Sequence, residues 1–64
     1  MELVVTVGAD VIIVKTLGFY AAYGRPTDGP DLILRRHTDT DDQELLAEVW
    51  RAATDKAREL GWIV

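Results

Sequence analysis

Apolar residues change their spacing once along this chain, and that change is the strongest constraint on the fold. Up to Arg36 they alternate or form short β-branched runs, a pattern typical of strands. From about Asp41 to Leu60 they recur every three or four residues, which predicts one amphipathic helix. The predicted inner stripe of this helix consists of Leu45, Leu46, Val49, Ala53, Ala57 and Leu60. Gly61 is expected to end the helix, with Trp62 and Ile63 folding back on its last turn.

The first predicted strand spans residues 2–7 and alternates apolar side chains between its two faces. Gly8 and Ala9 follow it, and glycine at the first central position favours a type II′ turn. Val7 and Asp10 should then close a hairpin.

The second predicted strand starts at Asp10 or Val11 and is long, with Gly18 marking a bulge or bend. Alternation beyond Gly18 would place Phe19, Ala21 and Tyr23 on one face. A helical turn over residues 17–23 is the alternative interpretation of this segment.

Two prolines and two glycines within residues 24–31 predict the main loop, and residues 32–36 predict a third strand. The expected fold is α+β: a three-stranded, mainly antiparallel meander with one C-terminal helix packed on it, in the order β-β-β-α. Residues 1–64 should form a single small domain. Its stability margin is thin, because a chain of 64 residues buries only about 60% of its unfolded surface.

Charge and composition narrow the classes of partner. The chain has 11 acidic and 7 basic side chains, a net charge of −4, which disfavours nucleic acid and anionic membranes and favours a basic protein partner. The chain contains no cysteine, which excludes disulfides and thiolate sites. The apolar run at residues 11–14 is far shorter than the roughly 20 residues of a membrane span. We expect a cytoplasmic protein.

One histidine, two threonines and several carboxylates crowd into residues 37–44, HTDTDDQE, as in a metal or acid/base site. The same residues satisfy the start of a helix, where Asp41 with Glu44, or Thr40 with Gln43, would form a capping box. Consecutive carboxylates in a chain that turns from strand to helix should diverge, so we expect the cap. The chain also lacks serine. We therefore predict no catalytic residue, no metal, no cofactor and no enzymatic activity.

Tyrosine and arginine are enriched in binding hot spots. The predicted partner-binding residues are Tyr20, Tyr23, Arg25, Arg35 and Arg36. In the alternative interpretation, Phe19 and Tyr23 fill the core while Tyr20 and the arginines form a solvated face. Trp50 lies at the edge of the helical stripe, either as a flank of the core or as an exposed contact.

Residues 31–53, DLILRRHTDTDDQELLAEVWRAA, combine a closing strand, a short acidic turn and a helix that opens with D-D-x-E-L. This stretch, about a third of the chain, resembles the small immunity proteins of bacterial contact-dependent growth-inhibition systems. The chain departs from that pattern at Leu46, where we associate a glycine with the family. The resemblance implies a one-to-one complex with a toxin domain, often a basic nuclease.

These observations predict a small acidic, non-enzymatic binding protein that neutralises or regulates a protein partner. The alternative is a homodimeric structural or accessory subunit, with strand 2 or Trp50 forming the self-interface.

Overall fold

The computed structural model describes residues 2–27, 29 and 31–63, and within them four strands precede one helix. The elements are β1 (Val4–Val7), β2 (Val11–Thr16), β3 (Phe19–Gly24), β4 (Ile33–His37) and α1 (Gln43–Leu60). The strands form one antiparallel sheet in the order β1-β2-β3-β4. The predicted α+β class, with an antiparallel sheet and a C-terminal helix, is confirmed, but the sheet has four strands and not three. Asp28 and Pro30, which belong to the predicted loop, lie outside the described residues.

The long second strand of the prediction is in fact a hairpin. Thr16 pairs with Phe19, so Leu17 and Gly18 form a two-residue turn between β2 and β3. Gly18 has φ +74°, which glycine adopts without steric cost, and Leu17 is fully exposed at the tip. The predicted bulge or bend at Gly18 is therefore a complete chain reversal, and the alternative helical turn is wrong.

The first hairpin has a different register from the predicted one. Val7 pairs with Ile12 rather than with Asp10, and the Gly8 N–H donates to the Val11 carbonyl at 2.8 Å. Gly8 also lacks the positive φ that a type II′ turn requires. Its role is steric, because an added Cβ would lie only 2.9 Å from Val11 Cγ1.

The core lies between α1 and one face of the sheet. The predicted alternation of Phe19, Ala21 and Tyr23 is confirmed, since all three are buried on this face. The other buried apolar residues are Ile12, Val14, Leu32, Val49, Ala53 and Ala57. The buried alanines on the inner face of α1 have small side chains, so the helix backbone can pack close to the sheet.

Two details of the helical stripe differ from the prediction. Leu60 is 41% exposed, whereas Thr54 is buried. The Thr54 hydroxyl is satisfied inside the helix, because it lies 2.9 Å from the Trp50 carbonyl oxygen and 3.0 Å from that of Arg51. The buried side of α1 therefore includes a threonine, and the predicted stripe does not extend to Leu60.

Both ends of α1 have capping interactions. The N-terminal cap is Asp42 and neither of the predicted caps, Asp41 or Thr40: its carboxylate accepts a hydrogen bond from the Leu45 N–H at 3.1 Å. At the other end Gly61 has φ +80°, and the Trp62 N–H donates to the Ala57 carbonyl at 2.8 Å, a Schellman motif. The predicted C-terminal cap is confirmed. Nowhere in the described part of the chain is a helix long and apolar enough to cross a membrane.

Candidate protein-binding face

The face of the sheet opposite α1 is the main candidate site, and we call it the open face. Residues on it alternate with the buried ones: Ile13 lies between Ile12 and Val14 and pairs with Ala22. The open face carries Val4, Thr6, Val11, Ile13, Lys15, Tyr20, Ala22, Ile33, Arg35 and Arg36. Val4 is 54% exposed and Ile33 is 43% exposed, so apolar surface here is accessible to a partner.

A β-bulge in β4 places two consecutive arginines on this face. Arg36 pairs with Ala22, whereas Leu34 pairs with Tyr23, so Arg35 is the extra residue of the ladder. The Arg35 side chain then turns over Gly24, where an added Cβ would meet Nε and would lie 3.1 Å from Cζ. Simple alternation would have sent two neighbouring side chains to opposite faces.

Tyr20 and Lys15 form a cross-strand pair at the other end of the open face. The backbone of Tyr20 is fixed by Thr38, whose N–H donates to the Tyr20 carbonyl at 2.9 Å. The Tyr20 N–H in turn donates to the Thr38 hydroxyl at 3.2 Å. Tyr20 is 39% exposed, which leaves its ring available for contact. Next to this pair is a shallow hollow of about 640 Å³, lined by Glu2, Val4, Lys15, Thr16 and Leu17.

Tyr23 and Arg25, the remaining predicted binding residues, lie away from the open face. Tyr23 is buried against α1, with its ring centroid 5.5 Å from that of Trp50 in an edge-to-face arrangement. Burial raises the pKa of the Tyr23 phenol above its usual value. Arg25 places its guanidinium 5.5 Å from the centre of the Trp62 ring. The structure therefore brings together Tyr20, Arg35 and Arg36 only.

A second depression of about 330 Å³ lies between the C-terminal half of α1 and the loop before β4. It is lined by Gly29, Asp31, Trp50, Thr54, Arg58, Trp62 and Ile63. Trp50 is 38% exposed here while its ring packs on Tyr23, so it is a core flank with one accessible edge. The Trp62 ring is occupied by Arg25 and the Thr54 hydroxyl by the helix backbone. The charged residues of its lining are Asp31 and Arg58, and the Arg58 guanidinium lies 3.5 Å from the Asp55 carboxylate.

Within the acidic stretch before α1, Asp42 caps the helix. Besides the Asp42 cap, the Thr40 hydroxyl accepts a hydrogen bond from the Asp42 N–H at 3.1 Å. His37 Nδ1 lies 2.9 Å from the Thr38 carbonyl oxygen. Within residues 2–27, 29 and 31–63, no three His, Asp or Glu side chains are grouped so that they could hold a metal ion.

Sequence reasoning missed Val4, Ile13, Lys15 and Ile33 as parts of the open face. Their signal was the period of two within each strand, but it becomes readable only when the strand ends and registers are known. Comparison with protein-family models, with curated proteins and with solved structures found no match.

Proposed function

We propose that this chain is a non-enzymatic protein-binding domain that neutralises or regulates a protein partner through its open face. One observation carries the proposal: exposed apolar side chains on both edge strands of this face, Val4 and Ile33, flank a half-buried apolar centre. The cations Lys15, Arg35 and Arg36 lie among these apolar residues. Such a face suits a protein surface with an apolar patch and acidic residues around it. The arginines and Tyr20 belong to the residue types that dominate binding energy in interfaces.

The charge of the open face differs from that of the whole chain, which changes the expected chemistry of the partner. The net charge of −4 favours a basic partner at long range, whereas the patch that docks on the open face should be acidic. Five acids, Asp39, Asp41, Asp42, Glu44 and Glu48, lie between residues 37 and 48, and no lysine or arginine separates them. They would steer a basic protein towards the complex without forming its centre.

The resemblance of residues 31–53 to immunity proteins supports a narrower form of the proposal, in which the partner is a toxin domain. Both arginines and the acidic helix start lie within that stretch. In this form the open face blocks the toxin by covering its surface in a one-to-one complex.

The test compares partner capture by three forms of the protein. The open-face variant combines Tyr20→Ala, Arg35→Ala and Arg36→Ala; the control variant combines Arg51→Ala and Lys56→Ala, which remove two cations from α1. Each immobilised form is exposed to extract of the source cell at low salt. We expect the wild type and the control to retain the same protein, and the open-face variant to lose it while its melting temperature stays close to that of the wild type.

Equal retention by the open-face variant would refute the proposal. Retention of a protein by the wild type is followed by light scattering of the purified complex, which should contain the two chains in equal numbers. For the toxin form, the captured protein should be inhibited by the wild type and not by the open-face variant.

A further inference from the structure

The two edge strands of the sheet differ in how well they are protected against pairing with another strand. β4 carries a bulge together with Arg35 and Arg36, and bulges and charges are the usual devices that block an edge. β1 reads Val-Val-Thr-Val, pairs with β2 in an unbroken register and carries no charge. Among the described residues no strand pairs with its outer edge, so this edge is open to pairing with a strand of another chain.

The register shows which backbone groups of β1 are free to pair. The Gly8 N–H bonds to Val11, so even-numbered residues of β1 direct their backbone groups towards β2, and odd-numbered residues direct theirs outwards. The hydrogen bond from the Thr16 hydroxyl to the Glu2 carbonyl, at 2.9 Å, continues this alternation to the start of the chain. Val5 and Val7 thus present N–H and C=O groups at the edge, and Leu3 precedes them in the same phase.

We propose that a second copy of this chain pairs with the first along β1, antiparallel, with Val5 opposite Val5 at a two-fold axis. In β1 the odd-numbered residues direct their backbone N–H and C=O groups outwards, so odd-numbered residues of one copy must pair with odd-numbered residues of the other. With Val5 opposite Val5, Leu3 lies opposite Val7 of the other copy. Val4 lies opposite Thr6 on the other face. No charged side chain occurs between Leu3 and Val7, so the pairing brings no like charges together.

The pairing of odd-numbered with odd-numbered residues fixes the architecture of the dimer. Residues directly opposite each other in a sheet share a face, so the two α1 helices lie on the same side and the two open faces join into one eight-stranded surface. Val7, which is 38% exposed, gains neighbours at the new boundary, as do the half-buried Leu3 and Val5. β2, by contrast, is paired on both sides, so a strand-to-strand self-interface through it is not possible.

The test measures self-association and amide exchange together. Light scattering from micromolar to millimolar concentration should show the mass rising from 7.1 kDa to twice that value. Over the same range, hydrogen exchange of the Val5 and Val7 amides should slow with concentration, whereas the Thr6 amide, bonded within the monomer, should be protected throughout. A monomer at millimolar concentration, or a dimer with rapidly exchanging Val5 and Val7 amides, would overturn the proposal.

A matched pair of variants locates the interface. Val7→Lys places one charge per copy at the paired edge and should weaken self-association by about tenfold. Leu17→Lys makes the same kind of change at a fully exposed turn and should leave self-association unchanged. Equal effects of the two would contradict pairing through β1. The open-face variant should still dimerise and Val7→Lys should still bind the partner, so this proposal and the proposed function can fail separately.

Discussion

The guanidinium of Arg35 lies over Gly24, at the bulge where the β3–β4 register shifts between Ala22 and Tyr23. Glycine leaves the space, and the extra residue in β4 supplies the side chain that fills it. Arg35 thereby adds a second cation beside Arg36 on the open face. The position of this cation over β3 is reached from β4, so β3 itself carries no charged residue there. The proposed contact patch thus depends on a backbone irregularity as much as on the arginines themselves.

Replacing Gly24 by alanine tests this relationship. Gly24 does not have a positive φ, so the backbone accepts alanine, and a strand gains roughly 0.5–1 kcal/mol from the lower entropy of the unfolded chain. The new methyl group must displace the Arg35 side chain. We expect the Arg35 Nε–H resonance to shift and partner affinity to fall by as much as we expect for Arg35→Ala. Gly29→Ala, which meets no atom within 4 Å, is the control. An unshifted Arg35 resonance in Gly24→Ala would show that the guanidinium lies elsewhere.

Alanine substitutions at the start of α1 should distinguish the contributions of two neighbouring acids to stability. Asp42→Ala deletes the acceptor for the Leu45 N–H and should lower the free energy of unfolding by about 1 kcal/mol. Asp41→Ala removes an equal charge from the same end of the helix and should cost only a few tenths of a kcal/mol, through the helix dipole. Urea denaturation of both variants measures the difference. Equal losses would mean that charge, and not the cap hydrogen bond, stabilises this end.

Sequence alone predicts the helix well and its first residue poorly, for a physical reason. The apolar residues from Leu45 to Ala57 recur every three or four positions, which fits a helix only. Gly61 follows as the residue that can end the helix in a left-handed conformation. Residues 39–42 are instead four consecutive residues that each can cap a helix. The choice of Asp42 depends on where β4 ends and how the connecting segment reaches the sheet, which local sequence does not encode.

The hairpin between β2 and β3 could not be predicted because Leu17-Gly18 is not a turn pair with a strong signal. A continuous strand would have placed Phe19 on the same face as Ile13. The two-residue turn places it with Ile12 and Val14 instead. The division of Tyr20 and Tyr23 between the open face and the core follows from alternation within β3. Arg35 and Arg36 lie on the same face because of the bulge in β4, and no sequence pattern predicts that bulge.

The hairpin turn gives a third prediction. A residue with a β-carbon is strained at the φ of +74° that Gly18 adopts. Gly18→Val should therefore lower the free energy of unfolding by at least about 1 kcal/mol. Gly18→Asn should cost less, because asparagine visits this region more readily. No atom lies within 4 Å of an added Cβ, so a steric clash does not contribute. Thermal unfolding ranks the variants, and a more stable valine variant would contradict the turn geometry.

The buried phenol of Tyr23 should make stability depend on pH in the alkaline range. Desolvation raises its pKa in the folded state above the usual 10.0, so the folded state holds this proton more tightly than the unfolded state does. The stabilisation is fully present below pH 10 and is lost as pH rises from there through the raised pKa. Tyr23→Phe lacks the titrating group and keeps the ring on Trp50. The free energy of unfolding of the wild type, measured by urea denaturation, should therefore fall relative to Tyr23→Phe above pH 10. A constant difference between the two across this range would show that the phenol is solvated in the folded protein.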